Sequence, residues 1–241
     1  MLTINHLTKH YKGSNKGISD ISLSIQPGDI YAFIGHNGAG KTTTLKCTAG
    51  IHNFDSGEIL IDGTNIQQDP LTCKQKLAYI PDNPDLYEYL TGIQYLSFVA
   101  DIFKVAKTER EQRISKYTAE FEITESLGDL ISTYSHGMKQ KLAIISALVH
   151  NPKLLILDEP FVGLDPKASV LLKNIMHTIC AQGGAIFFST HVLDVAEKLC
   201  NKVAIIKDGI LIASGNMEAL VKPGQSLESI FMEVINNENT N

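Results

Sequence analysis

The sequence predicts an α/β fold in which a largely parallel central sheet carries an antiparallel part and an inserted helical subdomain. Short apolar runs alternate with longer, helix-compatible segments in the first and last thirds of the chain, a pattern typical of parallel strands joined by helices. Between residues 90 and 150 the periodicity is helical and strand signals are few. The dipeptide Asp208-Gly209 separates two apolar runs and is typical of a β-hairpin, which adds the antiparallel part.

The individual elements follow from the apolar runs and from the turn residues that bound them. Runs of strand length are flanked by Gly, Pro, Asp and Ser, and helical periodicity fills the segments between them. Strands are predicted at residues 21–25, 30–34, 57–62, 76–80, 153–157, 184–190, 202–206 and 210–214, and helices at 41–50, 166–181 and 194–199 besides those of 90–150. The chain beyond Glu233 is expected to be a frayed tail.

Length and composition are those of an ordinary globular protein. We expect one domain, with a core made of residues 1–84 and 151–222, a helical subdomain at 85–150, and a C-terminal helix and tail at 223–241. The net charge is −5 and lysine and arginine form no run, which argues against a nucleic-acid partner. The 4 cysteines form no CxxC pair, which indicates neither a zinc site nor a disulfide framework and fits a reducing cytosol.

Neither a secretory leader nor a membrane span is predicted. The amino terminus lacks a charged start followed by an apolar stretch. The richest apolar runs, 142–149 and 154–157, are separated by His150 and Lys153 and fall short of the roughly 18 residues that a spanning helix needs. A membrane role would therefore require a partner chain.

The most specific local signal is a glycine-rich loop between a predicted strand and a predicted helix. It matches the P-loop pattern G-x-x-x-x-G-K-[ST], which predicts a P-loop NTPase core that binds ATP. Glycines let the backbone wrap closely around phosphate oxygens, and the following helix offers free N–H groups and the positive end of its dipole. The candidate nucleotide-binding residues are Gly35, His36, Asn37, Gly38, Ala39, Gly40, Lys41, Thr42 and Thr43.

Polar side chains that follow two of the predicted strands would bind the phosphates and Mg²⁺ and activate the attacking water. We expect the Lys41 ammonium to reach the outer phosphates and the Thr42 hydroxyl to bind Mg²⁺. The apolar run 154–157 ends in Asp158 and Glu159, at the edge where open α/β sheets bind ligands. Asp158 would hold Mg²⁺ through its water shell, and Glu159 would orient and deprotonate the attacking water. An isolated acidic strand end is usually a solvated loop, but the P-loop in the same chain favours a functional pair.

Over residues 2–220, the motifs and their separations resemble those of an ABC-family nucleotide-binding domain. The family's signature segment corresponds to Tyr134-Ser135-His136-Gly137-Met138-Lys139-Gln140, its D-loop to Gly163-Leu164-Asp165-Pro166, its switch histidine to His191 and its adenine-stacking aromatic to Tyr11.

The resemblance implies a head-to-tail dimer that hydrolyses ATP. In it, Ser135 and the Gly137 backbone would grip the γ-phosphate on the partner's P-loop, while His191 would sense the triphosphate. The residues alone allow simpler roles. Ser135 is a candidate N-cap, a lone histidine such as His191 is more often an ordinary polar residue, and an aromatic such as Tyr11 is more often edge packing.

Three positions depart from the family pattern. Asp82 stands where most members carry the Q-loop glutamine; its oxygen could still bind Mg²⁺, but the carboxylate adds negative charge near the phosphates. His136 and Met138 replace a glycine and a glutamine of the signature, which adds side chains where the backbone must approach the opposite nucleotide. Because Ser135 and Gly137 are retained, we expect an active ATPase.

The function implied by the resemblance is that of a transporter motor on the cytoplasmic face of a membrane. It would act as a homodimer or heterodimer on a separate transmembrane permease subunit, and its loop and signature are most similar to those of exporters for drugs, peptides or ions. Residues 85–90 would receive a helix of the permease on exposed aromatics, with packing inside the helical subdomain as the alternative. A soluble ABC ATPase acting on nucleic acid or ribosomes and a regulatory module with little turnover are the other functions considered.

Overall fold

A computed structural model of the chain describes residues 1–11, 13, 16–222 and 224–237. The strands are β1 (Leu2–His10), β2 (Gly17–Ile25), β3 (Ile30–Ile34), β4 (Ser56–Ile61), β5 (Thr64–Asn65), β6 (Leu77–Ile80), β7 (Leu154–Asp158), β8 (Ala185–Thr190), β9 (Lys202–Lys207) and β10 (Ile210–Asn216). The α-helices are α1 (Lys41–Thr48), α2 (Pro70–Lys76), α3 (Gly92–Ile102), α4 (Lys107–Glu120), α5 (His136–Val149), α6 (Pro166–Ala181), α7 (Leu193–Leu199), α8 (Met217–Leu220) and α9 (Leu227–Asn237).

The strands form two sheets. In the larger sheet, of order β10-β9-β3-β8-β7-β6, the five strands from β9 to β6 run parallel and β10 is antiparallel. The smaller sheet, of order β2-β1-β4-β5, is antiparallel throughout. The predicted α/β class with a parallel centre and an antiparallel part is confirmed, and the predicted hairpin pairs Ile210 with Lys207.

The larger sheet is buried on both faces, which explains why its strands are nearly continuous apolar runs. Along β3, Ile30, Ala32 and Ile34 join a core shared with α3 to α7, whereas Tyr31 and Phe33 join a core beneath the smaller sheet. Because β3, β7 and β8 are adjacent and parallel, the loops that follow them lie at one edge.

Three elements in the first third of the chain were not predicted, namely strand β1, the two-residue strand β5 and helix α2. Strand β1 escapes a period-two search because a register shift between Ile4 and Leu7, with His6 at φ 50°, interrupts its alternation. Helix α2 did have a sequence signal. The Asp69 side chain accepts a hydrogen bond from the Thr72 N–H, and a proline occupies the first turn, which is a common helix start.

The expectation of a frayed tail from Val234 was wrong for its first residues, because α9 continues to Asn237. Leu227, Ile230 and Phe231 are buried in the core and Val234 packs against it. This i, i+3, i+4, i+7 spacing is typical of an amphipathic helix docked on a protein core. Residues 238–241 lie outside the described part of the chain. None of the described helices has the length and apolar character needed to cross a bilayer.

Candidate active site

The loop between β3 and α1 is packed so tightly that two of its glycines have no substitute. A Cβ on Gly35 would lie 2.4 Å from the carbonyl oxygen of Ile206 in β9. Gly40 has φ 109°, and a Cβ there would lie 2.6 Å from Cγ2 of Ile18. Since only glycine avoids both clashes and tolerates the left-handed backbone, the two residues fix the loop against the neighbouring strands.

This loop forms one wall of a cleft with a volume of about 310 Å³. Among the candidate residues, those that line the cleft are Tyr11, His36, Asn37, Gly38, Gly40, Lys41, Thr42, Thr43, Asp82 and Glu159. Lys16 and Gly17 also line it and were not predicted, because only the pairing of β2 with β1 brings them there. Gly35 and Ala39 belong to the same loop but are buried and do not line the cleft. Ser135 and Gly137 are not among the lining residues of the cleft.

The Lys41 ammonium lies inside the loop. It donates hydrogen bonds to the carbonyl oxygens of Gly35 (2.7 Å) and His36 (3.3 Å), and its Nζ lies 3.6 Å from Glu159 Oε1. The side chain is only 6% exposed, so these oxygens stabilise a charge that has little water around it. A phosphate entering the cleft would compete with them for the same ammonium.

Glu159 occupies a strained position at the end of β7. Its φ is 48°, in the left-handed region that side chains seldom adopt. Its N–H is held by both the carbonyl oxygen (3.2 Å) and the hydroxyl (3.0 Å) of Ser189 on the adjacent strand. Its Oε1 lies 3.0 Å from Nδ1 of His191. The structure thus brings the Glu159 carboxylate, which lines the cleft, close to the His191 imidazole and the Lys41 ammonium.

Asp158 differs from Glu159 because it is buried. It is 1% exposed, its Oδ1 accepts a hydrogen bond from the Ser189 hydroxyl, and its Oδ2 has no hydrogen-bond partner among the described residues. Burial raises the pKa of Asp158, and the negative charges of Asp82 and Glu159 raise it further. The hydrogen bond from Ser189 and the nearby Thr42 hydroxyl lower this pKa and so offset part of the increase. Ser189, which we did not predict as a site residue, therefore holds both the Asp158 carboxylate and the Glu159 backbone.

The oxygen atoms present here fit Mg²⁺. The orphaned Asp158 Oδ2 and the neighbouring Thr42 hydroxyl are hard ligands of the kind that this cation prefers. Within the described ranges, no group of three His, Cys, Asp or Glu side chains could hold a metal ion.

Asp158→Asn is expected to stabilise the nucleotide-free fold at pH 7. The pKa of Asp158 is raised in the folded protein, so its ionised carboxylate destabilises the fold at pH values above that pKa. Below the pKa of the unfolded chain, about 3.9, the carboxyl group is protonated in both states and the effect disappears. The melting temperature should rise by about 2–4 °C at pH 7, and the gain should shrink toward pH 4. Asp194→Asn, at an exposed carboxylate paired with Lys198, should bring no gain. A lower melting temperature for Asp158→Asn at pH 7 would contradict this account.

Tyr11 and Asp82 both line the cleft. The Tyr11 hydroxyl is 3.2 Å from Oγ1 of Thr43 in the first turn of α1, and the Tyr11 residue is 38% exposed. The Asp82 carboxylate accepts a hydrogen bond from the Asn83 N–H. Partial burial raises the pKa of Tyr79, and the charges of Asp158 and Asp82 raise it further. Asp82 is thus held by its own loop, and its contact with Mg²⁺ stays a prediction.

The signature segment begins helix α5. Ser135 is the N-cap and accepts a hydrogen bond from the Met138 N–H (3.3 Å), which confirms the capping role predicted from the residues alone. The His136 ring lies against Gly163, where an added Cβ would be 2.6 Å from the imidazole. The side chain that replaces the family's glycine therefore packs on the candidate D-loop of its own chain.

The comparisons with known proteins agree with this geometry. The family model described as ABC transporter matches residues 18–162. The SkfA peptide export ATP-binding protein SkfE of Bacillus subtilis (strain 168) is 36% identical over 212 residues, which cover 88% of this chain and 87% of SkfE. A solved structure described as the ATP-binding subunit of an ABC transporter is 34% identical, with a TM-score of 0.93 over 98% of this chain and 100% of that one.

One relative is longer than this chain. An uncharacterized ABC transporter ATP-binding protein of Nostoc sp. (strain PCC 7120 / SAG 25.82 / UTEX 2576) is 35% identical over 202 residues, and the chain matches 60% of its length. The glycine loop, the two acidic residues at the end of β7 and the matched length together show that the chain belongs to the ABC transporter family, as an ATP-binding subunit.

Proposed function

We propose that the chain hydrolyses ATP and thereby drives export by a separate membrane permease. The observation that carries the proposal is the Glu159 carboxylate, which lines the P-loop cleft and lies 3.0 Å from His191 and 3.6 Å from Lys41. A carboxylate held between an imidazole and an ammonium can orient a water molecule for attack on a terminal phosphate. The peptide-export assignment of SkfE supports the direction of transport.

The residues predicted from the sequence each have a place in this reaction. The loop N–H groups and the Lys41 ammonium bind the phosphates, and Tyr11 stacks on the base. Thr42 and Asp158 would hold Mg²⁺, with Asp82 as a further candidate ligand, and the bound cation would neutralise phosphate charge. Glu159 accepts the proton of the attacking water, and His191 hydrogen-bonds the γ-phosphate.

The nucleotide site is completed by a second ATP-binding chain. Ser135 and Gly137 belong to the first turn of α5 and do not line the cleft of their own chain, and Ser135 is exposed. They are therefore available to the nucleotide of a partner in a head-to-tail dimer, where the free N–H groups of a 14-residue helix favour phosphate. We propose a homodimer as the simplest form.

The helical region after β6 offers a docking surface for the permease. Tyr87 and Tyr89 are stacked with ring centroids 5.8 Å apart, and they are 45% and 75% exposed. Phe98, 41% exposed, lies 5.7 Å from Tyr87. Exposed aromatics of this kind are typical anchors of protein interfaces. We propose that residues 85–150 act as a subdomain that receives a permease helix at the cytoplasmic face of the membrane.

Mixing two defective variants tests the two-chain site. Ser135→Arg should block the phosphate contact of α5, and Lys41→Ala should disable the P-loop, so each chain alone should be inactive. In a mixed dimer, one of the two sites combines an intact P-loop with an intact signature, so a mixture should recover part of the parent's turnover. Turnover per chain of the parent should also rise with protein concentration. An inactive mixture, with a parent whose turnover per chain is independent of concentration, would contradict the shared site.

A further inference from the structure

The C-terminal helix α9 contacts the phosphate-binding loop. The rings of Phe231 in α9 and His36 in the loop have centroids 5.2 Å apart and an interplanar angle of 56°. We propose that Phe231 is a positioning residue for the nucleotide, acting through His36 to hold the tip of the P-loop. The inference rests on the proposed binding of ATP by this loop.

Phe231 can hold the loop because α9 is itself fixed to the core. Leu227 and Phe231 are 0% and 7% exposed. The N–H of Leu227 donates a hydrogen bond to Glu197 Oε2 in α7 (2.7 Å). Burial along one face of α9 and this bond at its start make the helix a firm support for the Phe231 ring.

The tip of the loop needs such a support because it is exposed. Residues 36–38 are exposed, whereas Gly35 and Ala39 on either side are buried. The His36 carbonyl oxygen accepts hydrogen bonds from the Ala39 N–H (3.1 Å) and from the Lys41 ammonium (3.3 Å). When Lys41 turns to a phosphate, the second bond is lost. The Ala39 bond and the ring contact with Phe231 then remain to fix His36.

The position of the contact predicts which kinetic constant will change. Phe231 touches the loop that binds the phosphates and not Glu159, which acts on the attacking water. Loss of the aromatic contact should therefore weaken ATP binding and leave the chemical step nearly unchanged. Pairs of aromatic rings contribute enough to change a dissociation constant by about threefold to tenfold.

The test compares Phe231→Leu with Met232→Leu. Leucine keeps an apolar side chain in the core at position 231 but removes the ring, whereas Met232 is the next residue on the same helix and is 51% exposed. ATP affinity is measured by calorimetry, KM and kcat by steady-state hydrolysis, and folding by circular dichroism. Phe231→Leu should raise the dissociation constant and KM for ATP about threefold to tenfold with kcat little changed. Met232→Leu should match the parent.

A double variant separates positioning from a general loss of packing. If Phe231 acts through His36, Phe231→Leu should weaken ATP binding in the parent but not further in a His36→Ala background. Equal affinities for Phe231→Leu and Met232→Leu, or the same loss in both backgrounds, would overturn the inference. A parent chain that binds no ATP would instead overturn the proposed function, so the two failures are distinguishable.

Discussion

A Glu159→Gln variant is expected to bind ATP and to hydrolyse it about 10²–10⁴ times more slowly than the parent chain, because its amide cannot accept the proton of the attacking water. Glutamine keeps the length of the side chain and an oxygen able to contact His191. Removal of a negative charge 3.6 Å from Lys41 should leave that ammonium freer to bind phosphate. ATP affinity should therefore be equal or higher, and dimers should accumulate with ATP. Phosphate release and light scattering measure the two effects.

The control for this variant is Glu218→Gln, which makes the same change at an exposed carboxylate in the first turn of α8. It should hydrolyse ATP as the parent does. If Glu159→Gln retained turnover close to that of the parent, another group would have to act as the base, and the role assigned to the end of β7 would be wrong. If Glu159→Gln lost ATP binding as well, its carboxylate would matter for binding the nucleotide and not for the chemical step.

Lys41→Ala is expected to weaken ATP binding about 10-fold to 100-fold or more, since hydrogen bonds to charged groups contribute about 1.5–3 kcal/mol each. The Lys41 ammonium is buried in the loop and lies next to Glu159. Its loss removes one of the two charged or polar partners of that carboxylate and leaves the contact with His191. The carbonyl oxygens of Gly35 and His36 also lose a donor. Calorimetric titration with Mg-ATP measures the affinity.

Lys46→Ala is the matched control, because Lys46 lies in the last turn of the same helix, away from the phosphate-binding end. It should leave the affinity for ATP unchanged. Near-parental affinity in Lys41→Ala would show that the loop N–H groups bind the phosphates without this ammonium. Circular dichroism distinguishes a local loss of binding from an unfolded P-loop.

Predictions of structure from the sequence succeeded where a feature depends on neighbouring residues. The predicted glycine loop lies between β3 and α1, with Gly35 and Gly40 where a Cβ would clash, and its binding of phosphate stays a prediction. The parallel strands were predicted because burial on both faces makes them continuous apolar runs. The Asp208-Gly209 hairpin was predicted because its turn is local in sequence.

Predictions were missing or wrong where contacts join distant segments. Strand β1 was missed because its alternation is broken by a shift that only its pairing with β2 and β4 accommodates. Ser189 was overlooked as a site residue because its role depends on the register of β7 with β8, which sets it beside Asp158. The extent of α9 was underestimated because polar residues at its end suggested fraying, whereas its apolar face is docked on the core.

The sequence by itself thus determined the α/β class, the glycine-rich loop before a helix and the acidic strand end, since each follows from backbone sterics, periodicity or residue chemistry over a few positions. Only the tertiary structure decided that Lys41 rests on the carbonyl oxygens of its own loop, that Glu159 meets His191, and that Phe231 reaches the loop from the C-terminal helix. These contacts depend on strand register and helix docking. Both are fixed by burial of the whole core rather than by any local run of residues.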